Sequence, residues 1–175
     1  FYSNNANDLP TPFKALQMGS VWRADRPQRG RFRQFVQCDI DILGEPTYLA
    51  EIELILATTT LLGKLNFKDF KVRINERRIL KAMASYSGFT EDQYDQVFII
   101  LDKMDKIGWD GVKAELIESG YPEANVEKYV TMFDEMEKAE DALAYLSEKL
   151  SGVLEEDVIE NLRTIRTSVE ATAAS

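Results

Sequence analysis

The chain has 175 residues, 45% of them hydrophobic and 29% charged, with a formal net charge of −9, one cysteine and no histidine. A single cysteine, Cys38, excludes an intrachain disulfide and a cysteine-rich zinc site, and the lack of histidine excludes Ser-His and Cys-His catalysis. No apolar run approaches the length that spans a bilayer, and the opening FYSNNANDLP holds neither a basic leader nor an apolar signal core, so the cytoplasm is the expected compartment.

In chain order, LQMGSVWRA reads as a strand, DRPQRGRFR as a basic turn with Pro27 and Gly30, and QFVQCDIDIL as a second strand, together a long-looped antiparallel hairpin. Gly44, Glu45 and Pro46 close it. Leu49, Ile52, Ile55, Leu56 and Leu62 then recur at helical spacing as far as Gly63, the expected C-terminal cap. FKVRIN alternates Phe70, Val72 and Ile74 with Lys71, Arg73 and Asn75, the pattern of a half-buried strand. From Arg77 the pattern becomes helical, with Thr90 and Gln93 spaced as a capping box ahead of QVFIILDKM. Further helices are predicted over 109–118, 122–136, 139–150 and 155–170, punctuated by Gly88, Gly120 and Gly152, with Pro122 suited to a first turn.

Charge is uneven along this order. Residues 1–45 sum to +1, residues 46–83 to +3 and residues 84–175 to −13. The contrast predicts a boundary near Met83, with an α+β part over 1–83 and an acidic all-helical part over 84–175. Because the chain opens on Phe1 and closes in TSVEATAAS, both ends are expected to be cut from something longer. In the helical part Val97, Ile100, Leu101, Met104, Met132, Phe133, Met136, Leu143 and Leu146 have the spacing of bundle core. Carboxylate runs such as Glu155, Glu156 and Asp157 read as solvated faces and helix N-terminal charge, not metal ligands.

The second strand sorts its side chains. Val36, Cys38, Ile40 and Ile42 share one face, expected to be core, while Phe35, Gln37, Asp39 and Asp41 share the other. Gln37 and Asp41 are therefore on one side, roughly 13 Å apart along the strand. A turn centred near Arg29 would set Arg23 beside Phe35 and Gln37. An arginine, an aromatic ring, an amide and carboxylates on one open face could floor a site for a polar, anionic ligand. The same face could equally be plain hydrated surface, and Arg26, Arg29, Arg31 and Arg33 could hold nucleic acid through its phosphates. Spacing alone leaves all three open.

The stretch VWRADRPQRGRFRQFVQCDIDILGE resembles motif 2 of the class II aminoacyl-tRNA synthetases in the form found in histidyl-tRNA synthetases. FKVRINERRIL resembles the strand and helix start that follow it in that family, and DKMDKIGWDGVKAEL resembles the family's helical insertion. The resemblance implies a partial class II antiparallel sheet with flanking helices, then an all-α insertion domain. The implied activity is ATP-dependent formation of histidyl-adenylate and transfer to tRNA(His), with Mg²⁺ bound through the ATP phosphates and a homodimer as the complete enzyme. Arg23 corresponds to the motif 2 arginine, on the ATP α-phosphate and the histidine carboxylate. Asp25 stands where many members carry glutamate near the adenine, Arg31 matches the loop arginine on the γ-phosphate, and Phe35 the ring that stacks on adenine. Gln37 falls by the substrate amino group and Asp41 at the acidic position facing the imidazole. No metal ligand is implied in the protein. The insertion would reach toward the tRNA acceptor arm, and its charge of −13 limits such contact to a few local basic residues.

Absent from the chain are motif 1, the RGLDYY-like peptide with a second catalytic arginine, motif 3 and the anticodon-binding domain, so this stretch alone is expected to be inactive. Two other readings compete. One is a catalytically silent paralogue of the kind that regulates ATP phosphoribosyltransferase, which generally lacks the insertion and has an eroded motif 2. The other is a tRNA-binding module without chemistry. Motif and insertion together favour the synthetase.

Overall fold

The computed structural model describes residues 1–172 of the chain; the last three residues of the alanine-rich tail and the Glu156 side chain lie outside the described set. The chain divides into two compact units, Phe1–Val72 together with the chain's end from Thr167, and Arg73–Arg166. The first is α+β and the second all-α, in keeping with the class predicted above.

In the first unit a short helix, α1 (Tyr2–Asn5), sets Phe1 and Tyr2 against the Phe13 ring at centroid distances of 6.4 and 5.8 Å. Strands β1 (Phe13–Trp22) and β2 (Gln34–Leu43) then pair antiparallel, from Phe13 opposite Leu43 to Trp22 opposite Gln34. The turn is therefore centred on Gln28 instead of Arg29. Gly30, at φ 78°, supplies the left-handed residue that lets Gln28 and Arg31 exchange backbone hydrogen bonds of 3.2 and 2.8 Å. Helix α2 (Leu49–Lys64) follows, tied to β1 by the Lys14–Glu53 ion pair at 2.6 Å.

Three expectations for this unit need correction. Side chains 36, 38, 40 and 42 do share a face, but that face is not core: Val36 is 68% and Ile40 40% exposed, Cys38 is exposed, and across the ladder Leu16 and Met18 stand 71% and 77% open. Periodicity says which residues point the same way; burial needs a second layer, and no described element supplies one. FKVRIN forms no strand, because a strand exists only by pairing and no described segment pairs with it; Phe70, Val72 and Ile74 are all exposed. Gly63 does not end α2. The left-handed residue is Asn66 at φ 62°, whose N–H donates to the Gly63 carbonyl at 2.9 Å while the Phe67 N–H donates to the Leu62 carbonyl at 3.0 Å, a Schellman closure built on asparagine.

The second unit consists of α3 (Arg77–Tyr86), a 3₁₀ turn at Glu91–Gln93, α4 (Tyr94–Leu101), α5 (Met104–Glu118), α6 (Glu123–Lys138), α7 (Ala142–Lys149) and α8 (Glu156–Ala171), whose last residues pass out of it. Gln93 reaches back to accept the Thr90 N–H at 3.0 Å, completing the expected capping box. Inside α5, Gly108 at φ 68° and ψ 176° breaks the helix, so regular winding starts at Trp109 as the spacing predicts. Pro122 takes the cap position of α6, one place before its first turn.

Among the described residues, full burial is confined to this unit. No hydrophobic side chain described before Ile79 is fully buried, whereas Val97, Ile100, Val112, Leu116, Val126, Leu150 and Val158 are almost wholly excluded from solvent. Among the predicted core positions Val97, Ile100, Met132, Phe133 and Leu146 are buried, with Leu101, Met104, Met136 and Leu143 half-buried around them. Aromatic rings form the centre: Tyr129 meets Phe89 and Phe133 edge-on at 5.5 and 5.1 Å, and Trp109 lies on Phe133 at 5.0 Å. Helix α3, Arg77–Tyr86, contributes Ile79, Ala82, Met83 and Ala84 to that core. Arg78 pairs with Glu76, Glu155 and Asp157 on the surface.

Candidate functional site

The register of the hairpin fixes its two faces. Leu16 with Ile40, Met18 with Cys38 and Ser20 with Val36 stand on one side; Ala15 with Asp41, Gln17 with Asp39, Gly19 with Gln37 and Val21 with Phe35 stand on the other. The second side carries the polar groups. Arg23 lies one residue beyond β1, its N–H donating to the Arg33 carbonyl at 2.8 Å, so the ladder continues and its side chain follows Val21 onto this polar face.

On that face Arg23, Phe35 and Gln37 come together. The guanidinium carbon of Arg23 sits 4.9 Å from the centre of the Phe35 ring, and its Nη2 donates to Gln37 Oε1 at 3.1 Å. Gln37 in turn donates its amide Nε2 to both carboxylate oxygens of Asp39, at 2.8 and 2.7 Å. Glycine opposite Gln37, at position 19, leaves space on this face: a Cβ added there would meet nothing within 4 Å. Asp41 stands farther along the strand, accepting a 3.4 Å hydrogen bond from Gln17 Nε2.

In the turn, Asp25 and Arg31 form an ion pair at 3.1 Å, and Arg33 Nε donates to the Asp25 carbonyl at 3.1 Å. Both charged partners are solvent-accessible, and an exposed pair of this kind is held by little, so Arg31 can leave Asp25 for a stronger anion at small cost. Gln17 has no role in the sequence reading, Asp39 enters it only as one carboxylate of the open face, and Arg33 only as one of four arginines that could hold phosphates. Their signal is positional: Gln17 and Asp39 share the parity of Gln37 and Asp41, but the partner of each amide depends on register, which the turn centre decides.

The assembled face offers a guanidinium, an aromatic ring beneath it and two amides, with carboxylates already engaged by hydrogen bonds. Such a donor set suits a planar ring and an anion, especially phosphate or carboxylate. Among the described residues no group of three or more Cys, Asp or Glu is arranged to hold a metal ion, and no helix is long and apolar enough to cross a membrane.

Comparison with known proteins gives this geometry a context. The family model described as histidyl-tRNA synthetase matches residues 2–175. The chain is similar to the histidine–tRNA ligase of Leifsonia xyli, 52% identical over 118 residues, covering 67% of the chain and 27% of that protein. It is similar to that of Flavobacterium johnsoniae at 40% over 146 residues, covering 83% of the chain and 30% of the relative, and to that of Aeropyrum pernix at 36% over 161 residues, covering 82% and 37%. The chain thus spans between about a quarter and somewhat over a third of the relatives it matches. With a model matched along almost its whole length and relatives this similar, the chain belongs to the histidyl-tRNA synthetase family.

Proposed function

We propose that the polar face of the β1–β2 hairpin is the floor of an ATP and histidine site, and that the protein of which this chain is a part activates histidine and transfers it to tRNA(His). The observation that carries this reading is the juxtaposition of Arg23, Phe35 and Gln37 on one open face, with Asp41 on the same side of the strand.

In adenylate formation the histidine carboxylate attacks the α-phosphorus of ATP and pyrophosphate leaves. No protein nucleophile is needed; the protein supplies placement and charge. Arg23 is assigned to the α-phosphate and the substrate carboxylate, where negative charge builds as the new bond forms. Phe35 takes the adenine on its ring, a surface that the Arg23 guanidinium covers here and would vacate toward the phosphate. Arg31 moves from Asp25 to the γ-phosphate, and Asp25 is then left near the adenine. Gln37 Oε1 accepts from the substrate ammonium, and Asp41 accepts the imidazole N–H, the contact that separates histidine from other amino acids. Mg²⁺ would arrive on the ATP phosphates, since guanidinium and amide groups fit phosphate and offer no cage for the metal itself.

The same reading makes residues 1–83 part of a catalytic core and residues 84–175 an acidic insertion domain lying near the tRNA acceptor arm. It also makes the complete enzyme a cytoplasmic homodimer and the 175-residue chain inactive by itself.

Asp41→Asn in the full-length protein tests the assignment. The change keeps size and strand geometry but replaces an acceptor-only group by an amide. Histidine affinity should weaken by roughly 1.5 to 3 kcal/mol, the worth of a hydrogen bond to a charged group, with ATP affinity nearly unaltered. Equal small losses for both ligands would remove Asp41 from the histidine site.

A further inference from the structure

A glutamine amide presents an oxygen on one side and an NH₂ on the other, and steric packing barely distinguishes the two because they are nearly the same size. At Gln37 the neighbours distinguish them. On one side stands Arg23, which can only donate, 3.1 Å from Oε1; on the other stands the Asp39 carboxylate, which can only accept, with both oxygens within 2.8 Å of Nε2. Reversing the amide would set NH₂ against guanidinium and carbonyl against carboxylate, and would lose all of these hydrogen bonds together. Gln17 stands directly opposite Asp39 and is the other amide able to reach it, yet Gln17 donates to Asp41 instead. Each carboxylate of β2 therefore serves one amide, and the one on Asp39 belongs to Gln37.

We propose that Asp39 is a positioning residue for histidine: its carboxylate locks the Gln37 amide with Oε1 turned toward Arg23 and the substrate ammonium. The inference rests on the role of Gln37 given under the proposed function. Asp39 touches neither substrate nor reacting atoms in this arrangement. It acts through Gln37, and its negative charge also makes the Gln37 carbonyl a better acceptor by polarising the amide between guanidinium and carboxylate. Asp39 thus favours a cationic ammonium over any neutral group at that position.

The consequence is a coupling that packing alone would not produce. In the full-length protein, pyrophosphate exchange is measured for Gln37→Ala, Asp39→Asn, Asp39→Glu and the double variant Gln37→Ala/Asp39→Asn, with KM for histidine and for ATP determined separately. Asparagine keeps the size of aspartate but can donate as well as accept, so the Gln37 amide is free to turn over; KM for histidine should rise about tenfold while KM for ATP stays within about twofold. Asp39→Glu, still acceptor-only, should recover most of that loss. In the Gln37→Ala background, Asp39→Asn should add less than about twofold, because the residue it acts through is gone.

Effects of Gln37→Ala and Asp39→Asn that multiply would overturn the proposal, as would an equal rise of both KM values in Asp39→Asn. A histidine defect in Gln37→Ala with a silent Asp39→Asn would overturn the positioning role alone and leave the histidine site standing. A Gln37→Ala variant with unchanged KM for histidine would overturn both the positioning role and the placement of Gln37 at the ammonium.

Discussion

Tyr129 is fully buried among the rings of Phe89 and Phe133, and its hydroxyl has no hydrogen-bond partner among the described residues. Burial alone pushes that hydroxyl well above the ordinary tyrosine range, since nothing nearby compensates the anion. A buried polar group without a partner carries its desolvation cost unreturned. Tyr129→Phe keeps the ring contacts and removes that cost, so it should raise the stability of the chain by about 1 kcal/mol in denaturant unfolding. A loss of stability of that size would mean that the hydroxyl is satisfied. At this scale the candidate site was partly legible. Alternation in QFVQCDIDIL places Phe35, Gln37, Asp39 and Asp41 on one face, and the ladder agrees. Which amide holds which carboxylate was not legible. That depends on a turn centred at Gln28, and centring it at Arg29 would have set Phe35, not Arg33, opposite Arg23; because the two registers differ by an even step, the face assignment survives the error.

Among the elements, caps and periods read from sequence are carried by local chemistry. The Thr90–Gln93 box forms because both partners lie within one turn, and Gly88 terminates α3 at φ 97°, with the Gly88 and Phe89 N–H groups donating to the Ser85 and Ala84 carbonyls at 3.0 Å each. Elements that depend on distant partners differ from the sequence reading: among the described residues FKVRIN has strand alternation but no neighbour to pair with, and the apolar face of the hairpin has no layer over it. Helix α7 provides a test of the local kind. Its cap Asp141 accepts from the N–H groups of Leu143 and Ala144 at 3.0 and 3.2 Å and from Arg163 at 3.2 Å. The Ala144 N–H foremost, and then the Arg163 guanidinium, hold its carboxyl below the usual range. A depressed carboxyl contributes stability that is fully present above its unfolded value, near 3.9, and is lost as pH falls through the lower folded value. Asp141→Asn keeps an oxygen able to accept the backbone N–H groups and removes the titration. Unfolding curves of the chain between pH 7 and pH 2 should show the variant losing less stability below about pH 4 than the parent. Parallel pH profiles would show that Asp141 contributes nothing to acid sensitivity.

The molecule as a whole has two halves of opposite character. The first unit displays polar and apolar faces on a hairpin and has no fully buried hydrophobic side chain among its described residues; the second encloses an aromatic and aliphatic core under an acidic surface. Charge is distributed unevenly along the chain, with arginine gathered in the hairpin turn and carboxylates in the later helices, so that the sum changes sign near Met83. Residues 1–72 cannot be understood by burial, and their order follows from the β1–β2 ladder and from a face whose groups suit an anion and a planar ring. The central claim is that this face stabilises charge during histidine activation, with Arg23 at the reacting phosphate. Histidine-dependent ATP–pyrophosphate exchange by the full-length protein, compared between Arg23 and Arg23→Ala, tests it most directly. The account predicts a fall in kcat of about a hundredfold or more with a much smaller change in KM for ATP, as expected for a charge that acts chiefly in the transition state. A variant with nearly normal kcat would contradict it.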